Sequence, residues 1–336
     1  MTTPAPLRIG MIGAGMISSY HLVAWQRCPG AEVVAIADPS DAAAGGRVGE
    51  FGIPAVFADA VAMMDAVRPD AVDIAAPMEF HAGICRAAAD RGIAIMCQKP
   101  LCPTLDEARA LVAEIGDRVP FAVHENWRFR PPYRAIRRWL DAGRIGRVRA
   151  FTMDVMTGGL IPDLPGQPPP ALRRQPFMAG MPRFTVLEGG IHQIDALRFL
   201  LDGLAVVGAR VARLSDLVVG EDTAMLLLES PAGAIGTLST SLTVPGAAPR
   251  SSDTLTLVGE RGTITFRDWV LSCSDGGATE TWEREAAYQA SFDAVMAQFA
   301  GWLRGGAPFE TTAAENLATL ALVDDVYRLA GWPGDR

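Results

Sequence analysis

The sequence has no paired cysteines. Its five thiols, Cys28, Cys85, Cys97, Cys102 and Cys273, are odd in number and scattered, with no C-x-x-C among them. That argues against a disulfide framework or a spaced zinc site and fits reduced thiols; no metal is expected. A basic surplus is also missing: 30 Lys and Arg stand against 38 Asp and Glu, a formal net charge of −8. Nucleic acid and anionic membranes are therefore not expected as partners. No apolar run is long and uncharged enough to span a bilayer, and the opening "MTTPAPLRIG" has neither a basic stretch nor a hydrophobic leader. A cytoplasmic location is the expectation. With 49% hydrophobic and 20% charged residues over 336 positions, the chain has an ordinary globular composition and the length for two domains.

Short β-branched runs alternate with longer Ala-rich segments through the first part of the chain. "LRIGMIG" (7–13), "EVVAIAD" (32–38), "AVDIAAP" (71–77), "GIAIMCQK" (92–99) and "PFAVHEN" (120–126) predict strands. A segment from about Met16 to Cys28, "AAAGGRVGEF", "HAGICRAAADR" and "LDEARALVAEIGD" predict helices. This alternation predicts an α/β domain with a parallel, doubly wound sheet. After "RPPYRAIRRWLDAGRIG" (130–146), sheet-like runs follow one another: "VRAFTMDVM", "VVGARVARL", "TAMLLLES", "AIGTLSTSL", "DTLTLVG" and "GTITFRDWV". They predict an α+β domain with a large open, mostly antiparallel sheet. A helix at "IHQIDALRFLL" (191–201) interrupts it, and helical segments near 285–304 and 311–331 close the chain. The stretch 157–183, about two-fifths Gly and Pro, is expected to be neither strand nor helix.

"GMIGAGMISSYH" (10–21) follows the first strand and opens the first helix. Gly13 and Gly15 allow a tight turn and close approach to a pyrophosphate seated on the helix N-terminus, where Met16 and Ile17 stand. Ser18 occupies the place of the third glycine of that fingerprint. The second strand ends in Asp38, at the spacing where an acid reads the ribose 2′-hydroxyl, and no arginine directly follows it. NAD is favoured over NADP; a turn or helix cap is the alternative role for Asp38.

In "AIMCQKPL" (94–101) an apolar strand stops at Lys99, and Pro100 follows at once. Proline disfavours helix for the residue before it, which keeps Lys99 extended at the strand end. "VLEGGIHQIDALRF" (186–199) sets His192 near a helix start, with Glu188 four residues earlier. If the helix already includes Glu188, the two share a face, and a carboxylate there would orient the imidazole. A capping pattern with a half-buried histidine is the alternative. The four histidines, His21, His81, His124 and His192, all fall at predicted strand ends or helix starts, where ligands of doubly wound sheets bind.

"GMIGAGMISSYH", "APMEFH" (76–81), "QKPL" (98–101) and "GGIHQIDALRFLL" (189–201) together resemble the Gfo/Idh/MocA oxidoreductases over almost the whole chain. The resemblance implies a Rossmann domain (1–125) and an α+β substrate-binding and oligomerisation domain (126–310). A C-terminal helix (311–336) would pack back at the domain junction. It implies hydride transfer between NAD and a hydroxyl carbon of a sugar or cyclitol. Lys99, His192 and Glu188 would be catalytic, although the family pattern has Glu at Gln98 and Asp at Glu188. Cofactor contacts are implied at Gly13, Gly15, Met16, Ile17, Asp38, Pro77, His81, Gln98 and Lys99. Substrate contacts are expected at Lys99, Glu188 and His192, joined by Asn126, Trp127 and Arg128 of "HENWRF", an amide, an indole and a guanidinium suited to a polyol. For Trp127 a buried position is an equal alternative. Arg173, Arg174 and Gln175 of the Gly/Pro-rich stretch are further candidates.

Within the family the chain is similar to the branch containing D-apiose dehydrogenases, which suggests an aldose oxidised to its lactone. Two alternatives stand beside this: an NAD-dependent glycosidase, and a non-catalytic NAD(P)-binding sensor. A homodimer or homotetramer through the C-terminal sheet is expected, because that sheet has too few helices to cover both faces.

Overall fold

The computed structural model describes residues 5–250, 253–277 and 279–332. The chain divides into two compact units, Met1–Phe129 with Tyr288–Leu320, and Arg130–Ala287 with Ala321–Arg336.

The first unit is built on six parallel strands: β1 (Leu7–Ile12), β2 (Ala31–Ala37), β3 (Val56–Phe57), β4 (Ala71–Ile74), β5 (Ala94–Gln98) and β6 (Phe121–His124). Helices α1 (Ser18–Arg27), α2 (Asp41–Phe51), α3 (Ala60–Val67), α4 (Met78–Ala89) and α5 (Leu105–Ile115) connect them. The strand order is β3-β2-β1-β4-β5-β6, so the chain reverses direction across the sheet between β1 and β4. A crevice at the carboxyl ends of the strands follows from that reversal. β4 and β5 are buried along their whole length, as expected of strands covered on both faces. Helix starts carry their own signals: Ser40 and Asp59 cap α2 and α3, and Thr104 with Glu107 forms a capping box on α5.

One layer of this unit comes from far along the chain. Helix α9 (Arg284–Leu303) contributes Phe292, Val295, Met296 and Phe299 to a core that includes Ile9, Ala71, Met96 and Ala122 of the sheet. Residues 288–310, expected within the second domain, thus pack on the parallel sheet. Four large apolar side chains on one helix outweigh proximity along the chain.

The second unit carries eight strands: β7 (Val148–Met156), β8 (Ala205–Ala212), β9 (Thr223–Glu229), β10 (Ile235–Ser241), β11 (Thr254–Gly259), β12 (Thr263–Arg267), β13 (Val270–Cys273) and β14 (Glu280–Thr281). Their order is β14-β13-β12-β11-β7-β10-β9-β8, antiparallel throughout except for the β7–β10 pair. Alternate residues are buried, including Phe151, Met153, Leu226, Leu228, Leu255, Leu257, Ile264 and Phe266. Helix α6 (Pro131–Asp141) lies on that face, its Tyr133 ring 6.2 Å from Phe266. The opposite face leaves Met225 60%, Leu227 47% and Ile235 59% exposed.

Two expectations are corrected here. "GTITFRDWV" is not one strand. Asp268 and Trp269 have φ of 50° and 65°, and Arg267 pairs with Val270 across a two-residue hairpin. Such a hairpin needs positive φ at both central positions. The stretch 157–183 is also not structureless: it holds the short helix α7 (Pro170–Arg174) and a 3-10 turn, Pro176–Gly180. Pro170 is pre-set for a first helical position, and Leu160, Ala171, Leu172 and Met178 are buried against Phe184 and Val218. Helix α8 (Ile191–Leu200) follows, and α10 (Ala313–Ala330) ends the fold.

Candidate active site

The turn after β1 is shaped for a dinucleotide. Gly13 has φ of +99°, and a Cβ there would stand 2.6 Å from the Ala75 carbonyl oxygen, so only glycine fits where β1 and β4 part. Gly15 differs: its φ is not positive, and an added Cβ would meet nothing within 4 Å. The fold alone does not require a glycine there, and the open space suits a phosphate approaching the start of α1. Gly15 and Met16 are exposed and Ile17 is half-buried. Ser18, in the third-glycine position, is fully buried, and its Oγ donates to the Gly15 carbonyl at 2.7 Å. A serine therefore serves the close packing of helix on strand.

Asp38 leaves the end of β2 beside this turn. Its Oδ2 accepts from the Ala14 amide at 2.7 Å and its Oδ1 from the Ser40 amide at 2.8 Å. Each oxygen keeps a further lone pair for a ribose hydroxyl. The nearest following arginine, Arg47, is spent on the Gly15 carbonyl, the Ser18 hydroxyl and Glu50, at 3.0, 3.0 and 2.8 Å. These residues fit NAD: a turn for its pyrophosphate and an acid for its ribose diol.

Pro77, at the N-terminus of α4, is exposed. His81, expected on the cofactor, turns inward instead. It is buried, its ring nitrogens 3.0 and 2.9 Å from the Pro100 and Ala76 carbonyl oxygens. A neutral imidazole donates to one of these carbonyls, through whichever ring nitrogen carries its proton. Gln98, the next expected cofactor contact, is also turned inward. It is buried at the end of β5, its amide committed to His21, His124 and the Lys99 backbone.

Lys99 is half-buried, the first residue past β5, and joined to Pro100 by a cis bond. In the β5–β6 ladder Gln98 stands opposite His124, so Lys99 and Glu125 leave neighbouring strands side by side. Glu125 is a residue that motif reading passed over. It is fully buried and its carboxyl is pushed up to about 7: burial raises it, against the Trp127 amide and the charges of Lys99 and Arg128. The Trp127 amide donates to its Oε1 at 3.1 Å. Lys99 thus has a carboxyl for company that changes charge near neutral pH.

Asn126, Trp127 and Arg128, the expected polyol contacts, are turned inward. All three are buried in the first unit, because the 3-10 turn Trp127–Phe129 winds them inward. Asn126 donates to Ser291 Oγ at 2.8 Å, Trp127 meets Tyr288 edge-on, and Arg128 lies 3.5 Å from Glu315. Arg173 of the second unit is paired with Asp163 at 2.6 Å.

His192 belongs to the second unit, half-buried in the first turn of α8. Glu188, also half-buried, precedes it in a π-helical turn, Thr185–Gly190. That wide turn continues directly into α8, so the two side chains follow one another along one spiral. A buried carboxylate that motif reading also missed holds the turn. Glu221 accepts from the Phe184 and Val186 amides at 3.0 and 2.9 Å and from the Tyr327 hydroxyl at 2.7 Å. Tyr327 Oη in turn accepts from the Leu187 amide at 3.2 Å. Amides at the head of a helix need acceptors, and here one side chain reaches in from outside to supply them.

Two family models match the chain: the oxidoreductase family GFO_IDH_MocA, with an NAD-binding Rossmann fold, over residues 7–118, and the GFO/IDH/MocA C-terminal domain over residues 133–265. D-apiose dehydrogenase of Paraburkholderia graminis is 33% identical over 97% of this chain and 88% of its own length. Inositol 2-dehydrogenase of Rhizobium meliloti is 32% identical over 70% of this chain and 68% of its own. An oxidoreductase from Agrobacterium radiobacter, solved in complex with NAD+, L-tartaric acid and magnesium, superposes with a TM-score of 0.88 at 28% identity, covering 97% of both chains.

The two glycines are expected to separate on substitution. Gly13→Ala should destabilise the protein by roughly 2 kcal/mol or more, from positive φ and the clash with Ala75. Gly15→Val should leave the melting temperature nearly unchanged while weakening NAD binding in calorimetry. Glu125 generates a pH dependence. Its raised carboxyl binds a proton more tightly in the folded state, so its contribution to stability is complete below its ordinary 4.5 and lost as pH rises through about 7. In denaturant unfolding from about pH 5 to about pH 8, Glu125→Gln should remove this falling component, on the order of 2–3 kcal/mol.

Proposed function

The chain belongs to the Gfo/Idh/MocA family of NAD-dependent oxidoreductases, and on that premise we propose that it oxidises a hydroxyl-bearing carbon of a sugar or cyclitol. The leading substrate is an aldose such as D-apiose, oxidised to its lactone. Bound NAD supplies the hydride acceptor, its nicotinamide ring. The observation that carries the reading is Lys99, a half-buried ammonium at the carboxyl end of β5 in a sheet whose strand ends receive ligands. The Gly13–Ile17 turn binds the pyrophosphate and Asp38 the ribose. His192 accepts the proton of the substrate hydroxyl as the carbon is oxidised, and Glu188 orients the imidazole. Lys99 stabilises the developing oxyanion. The D-apiose assignment is supported by 33% identity to such an enzyme across 97% of this chain. The similarity to an inositol dehydrogenase keeps cyclitols in the substrate panel.

Among the described residues, no helix is long and apolar enough to cross a membrane. Five free, buried cysteines fit a reducing compartment, and the cytoplasm is the proposed location. The exposed side chains Met225, Leu227 and Ile235 form an apolar patch on one sheet face, larger in character than scattered surface residues. A second copy of the chain, covering this face in a dimer or tetramer, is the proposed partner.

Reduced-nicotinamide absorbance with NAD and a panel of pentoses, hexoses and inositols tests the reading. A signal with D-apiose, with lactone as product, is expected; a signal confined to inositols would move the substrate to a cyclitol. Lys99→Ala and His192→Ala should each lower kcat by roughly 10²–10⁴-fold with NAD still bound. Near wild-type turnover in both would remove these roles. Light scattering at micromolar concentration should report a dimer or tetramer, and Leu227→Glu should shift it to monomer.

A further inference from the structure

Beneath Lys99, Gln98, His21, His124 and Asp73 form one buried hydrogen-bonded group, and a single assignment of protons fits the contacts within it. The fixed point is the Lys99 backbone N–H, which can only donate. It stands 2.9 Å from Gln98 Oε1. A flipped amide would set two N–H groups against each other, so this atom is the oxygen. Gln98 Nε2 then has two hydrogens, and it stands 2.9 Å from His21 Nε2 and 3.3 Å from His124 Nδ1. Both ring nitrogens must accept. His21 therefore carries its proton on Nδ1, 2.9 and 3.0 Å from the Asp73 carboxylate oxygens. Trp25 Nε1 donates to the same carboxylate at 2.7 Å. His124 carries its proton on Nε2. The two imidazole rings lie 4.2 Å apart, centroid to centroid, a spacing at which two cations would repel strongly.

We propose that Gln98 is a positioning residue for Lys99: its neutral amide locks His21 and His124 into opposite, uncharged tautomers and pins the Lys99 main chain at the mouth of β5. An amide does this because it offers two donors on one side and an acceptor on the other. The glutamate that the family pattern has here offers acceptors only. It would draw protons onto His21 Nε2 and His124 Nδ1 and set a buried negative charge beside the lysine. This role deepens the proposed function and rests on Lys99 acting in catalysis.

Nitrogen NMR of the full-length protein labelled with 15N-histidine tests the proposal directly, since the chain has only four histidines. At neutral pH the wild type should show His21 protonated on Nδ1 alone and His124 on Nε2 alone, each assigned by single substitution. Gln98→Glu should move protons onto the facing nitrogens. With the sugar that reduces NAD in the panel above, it should also lower kcat roughly ten-fold or more, while KM changes less than about three-fold. A wild-type spectrum with a proton on His21 Nε2 or His124 Nδ1 would overturn the proposal, whether or not any variant folds. Wild-type turnover in Gln98→Glu despite altered tautomers would overturn it too. If instead Lys99→Ala kept wild-type turnover, the catalytic role of Lys99 would fall and the positioning role with it, while the histidine spectra would still stand.

Discussion

A polar atom sealed from water must find a partner inside the protein, and at the end of β5 one side chain settles this for its neighbours. Ala94 to Cys97 are apolar and fully covered. Immediately past them the chain must bring an ammonium to the surface of the sheet. Gln98 makes that transition possible because its amide answers a backbone donor and two imidazole acceptors at once. With an aliphatic residue there, His21, His124 and the Lys99 amide would each lose a partner, at about 1–3 kcal/mol per orphaned group. The apolar strand and the polar residues beyond it coexist through this contact.

The second unit solves a similar problem with a charge. The turn leading into α8 directs several amides at the protein interior, and Glu221 with Tyr327 answers them from 35 and more residues away. Burial pushes the Glu221 carboxyl up, and the amides and the Tyr327 hydroxyl pull it back. Lys99 and the turn that leads to His192 thus both stand on main chain held by a buried neighbour.

Much of this was legible in the sequence because it is local. Strand and helix periods, the glycine turn, the acid ending β2 and the lysine before Pro100 all fall within a few residues of what they determine. His192 and Glu188 drew notice through the resemblance. The misses share a different cause. Asp268-Trp269 turns a hairpin without glycine or asparagine, because strand pairing on both sides compels it. Asn126, Trp127 and Arg128 look like ligand residues until Ser291, Tyr288 and Glu315 arrive from some 160 to 190 residues later to claim them. The histidines were noticed for their positions, yet His21, His81 and His124 are interior hydrogen-bonding groups. Glu125 and Glu221 carry no motif at all; only burial and distant partners distinguish them.

The packing of α9 on the parallel sheet also constrains the order in which the protein can be born. Strands β1, β4, β5 and β6 leave the ribosome within the first 124 residues, but Phe292, Val295, Met296 and Phe299, which cover one of their faces, come some 170 residues later. Until then Ile9, Met96 and Ala122 have no permanent cover. During synthesis the nucleotide-binding half is therefore an open-faced intermediate in need of shielding until α9 arrives.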